Sequence, residues 1–172
     1  EVLRLHRTAQ LEERLRLEAL RPQDSGTAPG AVGQKFQCHN GIDGGLPQSA
    51  ELIVKNIEQL GFSIKDVKWL LNSHAHYDHV GGLAALQRMS GAQLSASEDS
   101  AKAMKSGSAL SNDPQAGYGE VMNFPAISNI SIIADGEHIA LGNNVVTAIF
   151  TPGHSPGGTT WSWQSCETNK CI

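Results

Sequence analysis

Residues 74–79, which read HAHYDH, carry much of the chain's capacity for chemistry. In an extended segment, side chains two positions apart leave the backbone on the same side, so His74 and His76 can reach one metal ion together. Asp78 and His79 follow where a helix is expected to begin, and we expect them to point back toward the same pocket. Zinc accepts this mixture of nitrogen and oxygen ligands. The alternative is a polar loop whose histidines make ordinary hydrogen bonds.

A further histidine, His154, lies in a second motif, residues 151–158, which read TPGHSPGG. A strand is predicted to end at Phe150, and Pro and Gly then enforce a turn with the histidine at its tip. Taken alone, such a residue is more often an ordinary surface histidine. Beside a loop that holds His74 and His76, it becomes the natural third ligand of a three-histidine site. Such a site leaves a fourth position open for water, which is the catalytic rather than the structural arrangement of zinc.

The elements that must position these motifs alternate between helix and strand in the first part of the chain, and strands cluster in the second part. This order predicts a layered α/β arrangement. A long loop is predicted over residues 106–128, and turns at 135–136 and 142–144 are predicted to join the late strands as hairpins. The predicted strands are 67–71, 92–96, 131–134, 137–140 and 145–150, and the predicted helices follow Ser49 up to Leu60 and cover 78–89 and 98–105.

Composition argues against several classes of partner. The 172 residues amount to one domain and carry a net charge of −4, which disfavours a sequence-independent grip on nucleic-acid phosphates. No apolar run approaches the ~18 residues of a membrane-spanning helix. We therefore expect neither nucleic acid nor membrane as a partner. Residues 1–35 read as a charged helix followed by a Pro- and Gly-rich linker, without the apolar stretch of a signal peptide.

The two histidine motifs, together with residues 42–45 (IDGG), resemble the metallo-β-lactamase superfamily. Residues 46–49 (LPQS) and 159–163 (TTWSW) are similar to the third subclass of its zinc β-lactamases. The resemblance covers residues 41–172. It implies an αββα sandwich, that is, a mixed α/β (α+β) fold, with two zinc ions between the sheets.

For the site, the resemblance implies that His74, His76 and His154 hold one zinc, and that Asp78 and His79 hold part of a second. A hydroxide between the metals would attack the carbonyl of a small-molecule β-lactam, with Asp78 as the catalytic residue that orients it. Asp43 would support the metal loops from behind the ligands, although a turn-forming Asp explains its position equally well.

Both ends of the chain depart from this pattern. Residues 1–40 match no part of it, and a downstream histidine that completes the second zinc site in the family has no counterpart here. We therefore expect residues 36–172 to form an incomplete domain of this fold, lacking its C-terminal part and holding one zinc rather than two. The predicted function is hydrolysis of β-lactam antibiotics. The alternatives are a non-catalytic zinc-binding fragment and a related hydrolase of thioesters or lactones.

Cys166 and Cys171 enclose a short loop that in some secreted relatives is closed by a disulfide. The resemblance therefore implies this pairing and a periplasmic or secreted location, although no signal peptide is visible. The alternative is two thiols that lie close only in sequence. Cys38, the remaining cysteine, is expected to be free.

Overall fold

The computed structural model describes residues 40–141, 144–164, 166–167 and 170–171. The expected charged helix and linker of residues 1–35, Cys38, and the tip of the turn at 142–143 lie outside these residues. The strands are β1 (Asn40–Ile42), β2 (Trp69–Leu71), β3 (Gln93–Ala96), β4 (Ser131–Ile132), β5 (His138–Leu141), β6 (Asn144–Phe150), β7 (Thr159–Trp163), β8 (Cys166–Glu167) and β9 (Lys170–Cys171). The helices are α1 (Ala50–Gln59), α2 (Tyr77–Val80), α3 (Leu83–Ser90) and α4 (Glu98–Ser106), with short 3-10 helices at Pro47–Ser49, Ile64–Asp66 and Ala116–Met122.

Of the three sheets in the described residues, two position the site, and the third is the two-stranded pair β8-β9. The first is parallel, in the order β1-β2-β3-β4, and the second is antiparallel, in the order β5-β6-β7. Because the strands of the first sheet run in one direction, the loops that leave their carboxyl ends meet at one edge. The first histidine motif follows β2 and therefore lies at this edge. The second motif, residues 151–158, follows β6 of the other sheet and can meet the first motif only if that sheet brings it to the same edge.

Neighbouring residues of β2 enter two different cores, because side chains alternate between the faces of a strand. Leu70 joins the core beneath the helices, together with Leu83 of α3 and Met104 of α4. Leu71 joins a second core between the sheets, where it meets residues such as Val146 of β6 and Trp161 of β7. The described part of the chain is thus layered as helices, sheet and sheet, and the predicted mixed α/β fold class is confirmed.

The second sheet has one face toward the core between the sheets and an outer face toward solvent. Residues of β6 alternate, so that Val146 and Ala148 are buried while Val145 and Ile149 are 50% and 43% exposed.

In the part of the chain that the structure describes, no helix is long and apolar enough to span a membrane.

Several local predictions were wrong or incomplete. The helix predicted over 78–89 is divided between α2 and α3 at Gly81 and Gly82. The chain passes close to the turn after β1 there, and a Cβ on Gly82 would overlap the carbonyl oxygen of Gly44. The turn at 135–136 joins no hairpin, since β4 pairs with β3 and β5 starts the other sheet. The loop predicted over 106–128 contains a 3-10 helix at Ala116–Met122. β7 was not predicted as a strand.

Candidate metal centre

The candidate centre lies at the carboxyl edge of the first sheet. β1 ends at Ile42 and the next residue, Asp43, turns away in a left-handed conformation with φ of 59°. Its amide donates to the carbonyl oxygen of Leu71 at 2.8 Å, which holds the ends of β1 and β2 side by side. The chain leaves β2 through residues 72–76 and enters α2 at Tyr77. His76 is extended, with φ of −93° and ψ of 155°, and the helix begins directly after it.

Three histidines converge there. One ring nitrogen from each of His74, His76 and His154 lies within 4.8 Å of the other two. Nδ1 of His76 is 3.2 Å from Nε2 of His154. Nε2 of His74 is buried and has no hydrogen-bond partner among the described residues. A buried polar atom without a partner costs free energy, and a bound cation would satisfy it. Three imidazole nitrogens are the donor set of many zinc sites, so these residues fit zinc.

The protonation of His74 suits this role. Burial is the largest of the causes that lower the pKa of His74 to about 4, and the neighbouring His79 adds to the decrease while Asp43 opposes it. The imidazole of His74 is therefore neutral at pH 7, and a neutral imidazole is the form that binds a metal.

His79 and Asp78 lie beside this triad. The ring centroids of His74 and His79 are 3.9 Å apart, and Nε2 of His79 is 3.6 Å from Oδ2 of Asp78. The side chain of Asp78 is 63% exposed and that of His79 is 24% exposed, so the pair stands at the open side of the cluster. Within the described residues, the triad of His74, His76 and His154 is the only group of three or more side chains arranged to hold a metal.

Asp43 lies behind the first motif and makes several hydrogen bonds. Its Oδ1 accepts from the backbone N–H of Ser73 at 2.8 Å and from Nδ2 of Asn72 at 3.1 Å. Its Oδ2 accepts from the Ser73 hydroxyl at 2.5 Å and lies 2.9 Å from Nδ1 of His79. The two interpretations of Asp43 are therefore compatible, because it forms the turn after β1 and also braces the loop after β2.

The loop that carries His154 is attached to the start of α4 through Gly157. The hydroxyls of Ser97 and Ser100 both donate to the carbonyl oxygen of Gly157, at 2.7 and 3.0 Å. The start of β7 is attached as well, since the amide of Thr159 donates to the carbonyl oxygen of Ser73 at 2.7 Å. These bonds bring the second motif to the edge where the first one lies.

Sequence reasoning missed one buried residue of the centre, Asp113. Its carboxylate oxygens lie 2.9 and 3.0 Å from Nε2 of His76. Burial alone would raise the pKa of Asp113, but hydrogen bonds from Gln115, His76 and Ser155 together lower it below its ordinary value. The only local signal was the turn-forming run Asn112-Asp113-Pro114, which indicates a loop and not a contact with a histidine.

Comparison with known proteins extends this picture. The profile of a family described as "Metallo-beta-lactamase superfamily" matches residues 42–167, a range that includes both motifs. Among solved structures, "Rm3 metallo-beta-lactamase" is 44% identical with a TM-score of 0.74, over 85% of this chain and 51% of that one. MEM-A1, described as a subclass B3 metallo-beta-lactamase from a soil metagenome library, is 47% identical with a TM-score of 0.72, over 77% of this chain and 49% of that one.

The chain is also similar, at lower identity, to a curated protein with a different name. "Hydroxyacylglutathione hydrolase" of Maricaulis maris is 30% identical over 108 residues, which are 63% of this chain and 32% of that protein. The chain thus spans about half the length of the solved relatives and about a third of this curated relative.

Proposed function

The chain belongs to the metallo-beta-lactamase superfamily, and from this premise we propose that it is a zinc-dependent hydrolase that opens the β-lactam ring. The observation that carries the proposal is the convergence of three imidazole nitrogens within 4.8 Å of one another. The buried Nε2 of His74, which has no hydrogen-bond partner among the described residues, supports it.

We assign the ion of the triad to Nε2 of His74, Nδ1 of His76 and Nε2 of His154. A bound zinc would lower the pKa of water and polarise a substrate carbonyl. His74 supplies a neutral nitrogen donor for this purpose, because burial lowers its pKa to about 4. We assign a second, weaker position to Asp78 and His79, whose carboxylate oxygen and ring nitrogen are 3.6 Å apart.

We propose that Asp78 interacts with a proton of the attacking water. Opening a β-lactam forms a bond between water oxygen and the carbonyl carbon, breaks the C–N bond of the ring, and leaves a proton on the ring nitrogen. The exposed carboxylate of Asp78 stands beside the triad, where it can orient the attacking water by accepting a hydrogen bond. Asp43 acts at a distance from the reacting atoms, because its oxygens are engaged by Asn72, Ser73 and His79.

Two observations favour a β-lactam over a thioester as substrate. The solved relatives named as metallo-beta-lactamases are 44% and 47% identical to this chain, whereas the relative named as a hydroxyacylglutathione hydrolase is 30% identical. Residues 46–49 and 159–163 also carry the segments that resemble the third subclass of zinc β-lactamases. The thioester hydrolase remains the second candidate because of the curated similarity.

The two candidates are separated by parallel assays of the purified chain. A chromogenic cephalosporin and a hydroxyacyl thioester of glutathione are each tested with zinc, with a chelator, and after zinc is restored. We expect turnover of the cephalosporin that the chelator abolishes and zinc restores. Turnover of the thioester alone would favour the second candidate. Tight zinc binding without turnover of either substrate would favour a non-catalytic zinc-binding chain.

We also propose that Cys166 and Cys171 form a disulfide and that the protein works in an oxidising compartment, the periplasm or the exterior. The register of β8 and β9 supports the pairing, since Cys166 lies opposite Cys171. Of the three cysteines in the chain, only Cys38 should react with a thiol reagent in denatured, unreduced protein. Three reactive thiols before reduction would contradict the disulfide.

A further inference from the structure

Asp113 belongs to neither histidine motif, yet its side chain reaches the candidate metal centre. It lies in the connection between α4 and the 3-10 helix Ala116–Met122, and only 8% of its surface is exposed. A carboxylate is seldom buried unless it is paired and hydrogen-bonded, because burial costs its hydration. The burial of Asp113 therefore needs a partner, and Nε2 of His76 at 2.9 Å provides one.

The contact with His76 decides which nitrogen of that ring is available to a metal. An ionised carboxylate only accepts hydrogen bonds, so Nε2 of His76 must carry the proton. In a neutral imidazole, the other nitrogen then keeps its lone pair. That nitrogen is Nδ1, and it faces the cluster at 3.2 Å from Nε2 of His154.

The same carboxylate reaches the second motif. A side-chain hydrogen bond from Ser155, next to His154 in the chain, is among the causes that lower the pKa of Asp113, and Ser155 is only 4% exposed. The backbone N–H of Gln115 donates to Oδ1 of Asp113 at 2.8 Å and holds the carboxylate in place. One side chain thus connects the loop that carries His76 with the loop that carries His154.

We propose that Asp113 is a positioning residue of the metal centre, which directs Nδ1 of His76 toward the ion and holds the loop of His154 against it. The inference rests on the proposed zinc site. Groups behind the ligands that fix the orientation of an imidazole commonly change metal affinity by 10- to 100-fold when they are removed. Asp113 supplies that support from a segment with no ligand of its own.

The test compares Asp113→Ala, Asp113→Asn and Ser155→Ala with the control Asp99→Ala, whose side chain is exposed on α4. Zinc affinity is measured by competition with a chromophoric chelator. We expect Asp113→Ala to weaken zinc binding by about 10- to 100-fold. Asp113→Asn keeps an oxygen that can accept from Nε2 and should weaken binding less. Ser155→Ala should have a smaller effect than Asp113→Ala, and the control should bind as the unaltered chain does.

A second measurement needs no metal. The nitrogen chemical shifts of His76 in the metal-free protein report which ring nitrogen carries the proton. We expect the proton on Nε2 in the unaltered chain and in Asp99→Ala, and a shift of population toward Nδ1 in Asp113→Ala. A merely structural role would lower the unfolding temperature of Asp113→Ala and leave the proton on Nε2. If Asp113→Ala does not fold, Asp113→Leu, which is close to Asp in size but offers no acceptor to Nε2, decides the question.

The outcomes separate this inference from the function on which it rests. An unchanged zinc affinity and an unchanged protonated nitrogen in a folded Asp113→Ala protein would overturn the role of Asp113 while the zinc site stood. Failure of the unaltered chain to bind zinc would overturn the zinc site, and with it a role for Asp113 in holding zinc. In that case the shifts of His76 would still show whether Asp113 sets its protonation.

Discussion

Oδ2 of Asp43 lies 2.9 Å from Nδ1 of His79 and holds that ring from the side opposite Asp78. The carboxylate comes from the turn after β1, while the imidazole comes from the first turn of α2. With Nδ1 occupied, Nε2 is the nitrogen that His79 can offer to a metal. Asp43, from the turn after the neighbouring strand β1, thus orients the His79 ring at the second candidate metal position.

Replacement of Asp43 by Asn should destabilise the fold. The amide nitrogen of Asn would present hydrogens to at least one group that now donates to the carboxylate, and the charge would be lost. The expected decrease in the free energy of unfolding is about 1–3 kcal/mol. Asn tolerates the left-handed backbone found at this position, so the effect should come from the hydrogen bonds. Urea unfolding of Asp43→Asn and the exposed control Asp99→Asn checks this, and equal midpoints would contradict it.

Gly157→Ala should disturb the loop that carries His154. A Cβ there would overlap the amide nitrogen and hydroxyl of Ser100, so the loop would have to move away from α4. We expect a lower unfolding temperature and zinc binding weakened by at least tenfold, because one of three ligands is displaced. Gly117→Ala is the matched control, since a Cβ at Gly117 has no atom within 4 Å. Similar behaviour of the two variants would show that the Gly157 contact is dispensable.

His76→Ala should remove both tight zinc binding and any zinc-dependent hydrolysis, because the triad would keep only two nitrogen ligands. His138→Ala is the control. His138 lies in β5 and its Nδ1 contacts the hydroxyl of Thr147 at 2.9 Å, away from both motifs. We expect that variant to keep its zinc and its activity. Parallel loss in both proteins, measured by metal content and by turnover, would point to misfolding rather than to loss of a ligand.

The two candidate metal positions should differ in affinity. Three imidazoles and one water complete a tetrahedron at His74, His76 and His154, whereas Asp78 and His79 alone leave a second ion dependent on solvent. Elemental analysis after dialysis should therefore give closer to one zinc than two per chain. A stable content of two would mean that a further side chain completes the second position.

The sequence was most informative where the chemistry is local. His74, His76, Asp78 and His79 lie within one strand-to-helix connection, so their spacing alone indicates a shared pocket. The contact of Asp113 with His76 spans 37 positions. It depends on how a loop folds back over the sheet, which no local pattern encodes.

The error at residues 135–136 has a related cause. Asp and Gly signal where a chain turns, but not which strand pairs with which. β4 is taken up by the parallel pairing with β3, and β5 by the antiparallel pairing with β6. The turn signal was real, and the assignment to a hairpin failed because the two flanking strands belong to different sheets.

The separation of the three ligands along the chain bears on the order of folding. His74 and His76 are adjacent once β2 and its loop form, but His154 joins them from 78 positions away. Closing that longer loop costs about 3 kcal/mol more conformational entropy than closing a two-residue one, and contacts of high sequence separation form slowly. A folding intermediate in which the second sheet has not docked would offer zinc only two imidazoles and release it readily. Tight retention of zinc therefore reports that the two sheets have come together.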